Sequence, residues 1–247
     1  MRLTVPARAK LNLDLEVVGR RSDGYHDIRS TFQAVELNDM LELEPASSNS
    51  FTSEGLEVDP SDNSVLQAHR RLEHAMGRSL PVAMHLHKRI PAGSGMGGAS
   101  SDAASALVGL KQLFQLDVDL EPISAEVGSD VPFFLHGGTA RVEGLGERIT
   151  LLPDHDAWFA IAWPGIELST RAVYEAWDEV GGEDLRRAAE HVEPRLADFA
   201  RQLGEGWQMT GSGSAFFKKV GGEQEGRKAI ANLDCWKTVT CSVGRWA

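Results

Sequence analysis

The chain has 247 residues, 42% hydrophobic and 25% charged, which is enough for one large domain or two of ordinary size with a real core. Its formal net charge of −11 argues against a general nucleic-acid or membrane-surface binder, both of which call for a positive field, so any anionic ligand must be met by local donors. Two cysteines, Cys235 and Cys241, give neither a disulfide framework nor metal-ligand spacing and are expected to fill core volume; no apolar run approaches the roughly 20 residues of a membrane span.

The start, MRLTVPARAKLNLDLEVVGRR, carries Asp14 and Glu16 within its apolar stretch, unlike a signal peptide, so a cytoplasmic protein is expected. Leu11, Leu13, Leu15 and Val17 alternate with polar residues as a half-buried strand, which places Lys10 and Asn12 together on the face opposite the leucines. Ser22-Asp23-Gly24 is turn chemistry, and extended segments follow at 26–35, 40–44 and 50–58. A capped helix is predicted over 62–75, with Val65, Leu66, His69 and Leu72 on one face, then a strand over 82–87. After a glycine-rich loop comes a helix with Ala103, Leu107, Leu110 and Phe114 as its inner stripe. Residues 138–152 read as a hairpin turning at Gly144-Leu145-Gly146. Beyond Pro153 the order is strand (157–163), helices (171–179 and 183–203, with Pro194 inside the second), strand (215–220), helix (223–233) and strand (236–243). That order suggests a second α+β unit, with the boundary near residue 153: residues 1–153 and 154–247.

The stretch IPAGSGMGGASSDAASAL poses the chemical question. Gly93-x-Gly95-x-x-Gly98 matches a dinucleotide fingerprint, but the loop lies past residue 90, its strand is interrupted by Ile90-Pro91, and no βαβ unit precedes it. A Walker A loop fails as well, because Gly98 is followed by Ala99-Ser100-Ser101 and no lysine. Bare amides at a helix start still favour an anion, and glycines let the backbone approach it closely. Ser94, Ser100 and Ser101 add hydroxyl donors, and a serine oxygen such as that of Ser101 can ligate Mg²⁺.

PAGSGMGGASSDAA resembles the phosphate-binding motif of the GHMP kinases, the superfamily of galactokinase, homoserine, mevalonate and phosphomevalonate kinases. AKLNLDLEVVGRRSDGYHDIRSTFQAVEL, VGSDVPFFLHGGTARVEGLGERITLL and MTGSGSAFF extend the resemblance over most of the chain, in order. They are similar to the branch that uses ATP to phosphorylate the 2-hydroxyl of a cytidine-diphosphate-linked sugar alcohol, on the non-mevalonate route to isoprenoid precursors. A homoserine or mevalonate-type acceptor is the alternative. The resemblance implies the α+β GHMP kinase two-domain fold, with an N-terminal domain like ribosomal protein S5 domain 2 and a ferredoxin-like C-terminal domain. It also implies ATP and Mg²⁺ as cofactors, a small-molecule substrate, no nucleic-acid or membrane partner, and a monomer or homodimer.

The same resemblance assigns residues. Lys10 and Asp130 match the catalytic pair, a cation holding a carboxylate ionised to receive the hydroxyl proton. The ATP loop comprises Pro91, Ala92, Gly93, Ser94, Gly95, Met96, Gly97, Gly98, Ala99, Ser100 and Ser101. Asn12, Tyr25, His26, Thr170 and Tyr174 match the substrate set, with Tyr25 and Tyr174 stacking on the two faces of the cytosine and His26 bonding its edge. Gly211, Ser212 and Gly213, in the third family motif, offer backbone donors near the phosphates. Arg20, Arg21, Lys88 and Arg89 are candidate counter-charges, and Trp158, Trp163 and Trp207 are expected in core or interface positions. No metal-binding cluster is read from the sequence.

Overall fold

The computed structural model describes residues 1–56 and 63–246. The end of the expected 50–58 segment and the expected helix start at Asp62 lie outside the described residues. In chain order the elements are β1 (Leu3–Arg20), β2 (His26–Pro45), β3 (Ser50–Gly55), α1 (Ser64–Met76), β4 (Val82–Lys88), α2 (Gly98–Leu113), α3 (Glu121–Val127), α4 (Phe133–His136), β5 (Thr139–Gly144) and β6 (Arg148–Leu152). They continue as β7 (Trp158–Trp163), α5 (Thr170–Val180), α6 (Arg186–Val192), α7 (Arg195–Leu203), β8 (Gln208–Met209), β9 (Phe216–Val220), α8 (Glu223–Ile230) and β10 (Trp236–Cys241). Among the described residues no helix is long and apolar enough to cross a membrane.

Two compact units interleave along the chain. One comprises Met1–Ala9, Leu37–Ala92 and Gly97–His136; the other comprises Lys10–Glu36, Gly93–Met96 and Gly137–Ala247. This contact division does not follow a cut at residue 153, because β1 and β2, at 18 and 20 residues, are long enough to serve both units.

In the first unit the C-terminal half of β2 pairs antiparallel with β4 (Met40 opposite His87), and β3 pairs parallel with β4 on its other side. Asn63 caps α1 by accepting the Val65 N–H at 2.8 Å, and Gly77 ends it in the left-handed region. Its buried face is Val65, Ala68, His69 and Leu72; Leu66 is only half-buried. Helix α2 is not the amphipathic helix expected: Ser101 to Leu107, Gly109 and Leu110 are buried, so nearly its whole circumference is covered. Small side chains make that possible.

In the second unit the N-terminal half of β2 pairs with β5, Ile28 opposite Gly144, and β5 and β6 form the expected hairpin. A separate sheet has the order β10-β7-β9-β8, with antiparallel neighbours throughout. Numbered within this βαββαβ segment, that order is 4-1-3-2, the ferredoxin-like arrangement. Its core gathers Ala160, Ala162, Val173, Leu185, Leu196, Trp207 and Phe216. Trp158 packs against this cluster and Trp163 donates its indole N–H to the Ile166 carbonyl, so these tryptophans are structural. The single helix expected over 183–203 is two: α6 ends at Glu193, which turns to φ −139°, and α7 begins after Pro194. Proline lacks the N–H that a continuous helix needs there.

Candidate active site

The site is built from β1 outward in the second unit. Lys10, 3% exposed, and Asn12, 4% exposed, share one strand face as the alternation requires. That face is buried rather than solvated. The Lys10 ammonium donates to Asn12 Oδ1 at 2.5 Å and to the Gly95 carbonyl at 2.7 Å, and lies 4.9 Å from the centre of the Phe32 ring. Asn12 in turn donates from Nδ2 to Ser30 Oγ (2.8 Å) and from its backbone N–H to Thr210 Oγ1 (3.0 Å). The Lys10 N–H bonds the Met96 carbonyl at 3.0 Å, so the front of the glycine loop is stitched directly onto the strand.

The third glycine motif closes on the same place. Ala215 donates its N–H to the Ser94 carbonyl and Ser214 to that of Gly93. Gly95 has φ +76°, and a Cβ there would sit 2.1 Å from the Thr210 carbonyl oxygen, so only glycine fits. Gly211 has φ +57°, and a Cβ would approach Asn12 Oδ1 at 3.1 Å and the Lys10 ammonium at 3.2 Å. Gly213 and Ser212 are buried in this loop, and Ser212 Oγ is 2.9 Å from Thr170 Oγ1 at the start of α5.

The rest of the loop belongs to the first unit. Gly97, in the left-handed region at φ +72°, precedes α2 as its cap without any side-chain cap bond. Gly98, Ala99, Ser100 and Ser101 form the first turn, with Ser101 2% exposed and Ser100 half-buried. Pro91 is buried; Ala92 and Gly93 are exposed. Asp130, partly exposed, stands in a turn where Val131 N–H bonds the Gly128 carbonyl, just before α4.

Lys88 is the clearest correction among the counter-charges. It is buried and paired with Asp39 and, at 2.7 Å, with Asp102. Asp39 also accepts the N–H groups of Arg89 (2.5 Å) and Ile90 (2.8 Å), fixing the backbone that enters the loop. Burial pushes the Asp102 carboxyl up to about 8; the Lys88 charge opposes this and the neighbouring Asp39 adds to it. Burial also disfavours the Lys88 ammonium, yet the two carboxylates overcome it and hold its pKa above the ordinary lysine value. Lys88 is therefore a buried structural cation whose charge is already met. Arg21 pairs with Asp23 and Asp27, and Arg20 with Asp178.

The aromatic group is in the second unit. His26 is buried; its Nε2 lies 2.7 Å from Asp178 Oδ1, its ring stacks on Tyr174 at 5.1 Å and 23°, and it meets Trp177 edge-on at 5.5 Å. With the Asp178 carboxylate as acceptor, Nε2 is the donor of this bond. Tyr25 is 65% exposed. Thus Tyr174 faces His26 in the protein itself, while Tyr25 stands in solvent.

The sequence reading missed Thr210, Ser30, Asp178 and the Asp39–Lys88–Asp102 triad. Thr210 had a weak signal, since it begins the Gly-Ser-Gly-Ser motif; the others had none that is local.

The family described as GHMP kinases N terminal domain matches residues 63–138. The 4-diphosphocytidyl-2-C-methyl-D-erythritol kinase of Thermotoga maritima is 37% identical over 241 residues, covering 85% of this chain and 89% of that protein. A crystal structure of 4-(cytidine 5'-diphospho)-2C-methyl-D-erythritol kinase superposes with a TM-score of 0.84 at 33% identity, covering 98% of this chain and all of the other. Homoserine kinase from Cytophaga hutchinsonii (TM-score 0.69, 17% identity, 99% of this chain and 95% of that one) shares the fold alone. The chain belongs to the GHMP kinases and, within them, to the 4-diphosphocytidyl-2-C-methyl-D-erythritol kinase family.

Proposed function

We propose that the protein transfers the γ-phosphoryl group of ATP to the 2-hydroxyl of 4-diphosphocytidyl-2-C-methyl-D-erythritol, a cytoplasmic step in isoprenoid precursor synthesis. The observation that carries this reading is the Lys10 ammonium, buried and bonded to the Gly95 carbonyl of the glycine loop, in a chain 37% identical to such a kinase across most of its length.

Phosphoryl transfer asks for positioning and charge stabilisation more than covalent chemistry. The amides of Gly97 to Ser100, at the start of α2, bind the triphosphate oxygens with the helix dipole behind them. Asp130 takes the proton of the attacking hydroxyl, and Lys10 stabilises the developing oxyanion. Asn12 orients Lys10 by accepting one of its three protons, with Ser30 and Thr210 fixing the amide. A serine hydroxyl is the hard oxygen donor that Mg²⁺ accepts beside phosphates and water, so Ser101 would help hold Mg²⁺, which offsets charge on the phosphates when bound. Gly211, Ser212 and Gly213 direct backbone donors to the acceptor's diphosphate. His26 bonds the cytosine edge, and Tyr25 and Tyr174 cover the base faces. We also keep 1–153 and 154–247 as the proposed evolutionary domains.

The test is ADP release with Mg²⁺ and a panel of acceptor alcohols. Turnover with the cytidine-diphosphate-linked acceptor, and not with homoserine or mevalonate, is expected; preference for either of the latter refutes the substrate assignment.

A further inference from the structure

A second cluster of ligating groups lies in the first unit, outside everything used above. In β4 the sequence His85-Leu86-His87 puts both imidazoles on one face and Leu86, fully buried, on the other. The parallel pairing with β3 sets Thr52 opposite His85 and Glu54 opposite His87, while Glu42 of β2 lies opposite His85 on the other side. The two imidazole rings meet edge-on at 4.4 Å. One ligand atom from each of Glu54, His85 and His87 falls within 4.8 Å of the others.

The orientation of the nitrogens matters most. His85 turns Nδ1 to Thr52 Oγ1 at 2.7 Å and Nε2 toward Glu54 Oε2 at 3.9 Å. His87 turns Nδ1 to Glu54 Oε1 at 2.5 Å and Nε2 toward Glu42 Oε2 at 3.7 Å. Each ring therefore aims one nitrogen at Glu54; the other nitrogen of His85 is hydrogen-bonded to Thr52, and that of His87 faces Glu42 Oε2, which also pairs with Arg2. That is the outer support a metal-bound histidine ordinarily has.

We propose that His85, His87 and Glu54 form a binding site for one divalent transition ion of the zinc class, with Thr52 and Glu42 orienting the two histidines. A two-nitrogen, one-carboxylate set suits zinc and its neighbours and is poor for Mg²⁺. Tetrahedral ligands at zinc bond lengths stand about 3.3 Å apart, so the present separations adjust by about 1 to 1.5 Å. The Glu54 side chain, 63% exposed on β3, is free to make most of that movement. The ion ties β3 to β4.

The experiment is calorimetric titration of the untagged full-length protein with Zn²⁺ in buffer holding excess Mg²⁺. Binding of one equivalent is expected, retained in the C235S/C241S variant and lost in H85Q and in H87Q, whose circular dichroism matches wild type. T52V weakens binding by about 10-fold or more, the cost of an outer-shell partner. With Zn²⁺ bound, amide exchange across residues 50–55 slows. Absence of binding in the wild type, survival of full affinity in both histidine variants, or loss in the cysteine variant each overturns the assignment.

Discussion

Replacing Lys88 by Met strips the charge from the triad that anchors the entrance to the glycine loop. Asp39 and Asp102 are 0% and 2% exposed, so neither gains water in exchange for the lost ammonium. Breaking a buried ion pair by removing one partner costs about 3–5 kcal/mol, and here one cation faces two buried carboxyls. The cost depends on pH. Without Lys88 the Asp102 carboxyl, already raised by burial, binds its proton still more tightly in the folded state, so stability falls as pH rises above the unfolded carboxylate range and recovers on acidification. Asp102→Asn is the comparator. The wild-type carboxyl is raised from 3.8 to about 8, so the folded protein loses stability between those values. The Asn variant does not, so it gains on wild type as pH rises from 4 to 8, the two converging near pH 4. Urea unfolding at pH 5 and pH 8 measures both. A Lys88→Met loss below about 1 kcal/mol at pH 8, or one indifferent to pH, refutes the reasoning.

Asp130→Asn leaves ATP binding near normal and cuts turnover by roughly 10² to 10⁴, the range for losing a general base, checked by calorimetry beside steady-state kinetics. Gly95→Ala lowers unfolding free energy by about 2–4 kcal/mol, from a left-handed backbone at φ +76° and a Cβ driven onto the Thr210 carbonyl. Tyr174→Ala raises KM for the cytidine substrate far more than KM for ATP; equal rises would remove Tyr174 from the base site.

What the sequence displayed was local. Glycine spacing and the alternation of β1 exposed the glycine loop and the shared face of Lys10 and Asn12, because strand period and backbone freedom act over a few residues. What stayed hidden was long-range. Asn12 meets Thr210 across 198 positions, and Lys88 meets Asp39 across 49, so nothing near Lys88 told it apart from a solvated lysine. The same contact explains β2, expected as two segments around Asn38-Asp39 and found continuous. A buried Asp39 is tolerable in a strand once Lys88 and two amides answer its charge. Pro194 was visible as a helix breaker, yet the run around it was read as one helix.

A structure of the protein with a non-hydrolysable ATP analogue and the cytidine-diphosphate-linked acceptor tests the central claim most directly. The account predicts phosphate oxygens on the amides of Gly97 to Ser100, with the acceptor 2-hydroxyl within hydrogen-bond reach of both Asp130 and Lys10. A nucleotide bound elsewhere, or an acceptor hydroxyl remote from those two side chains, would contradict it.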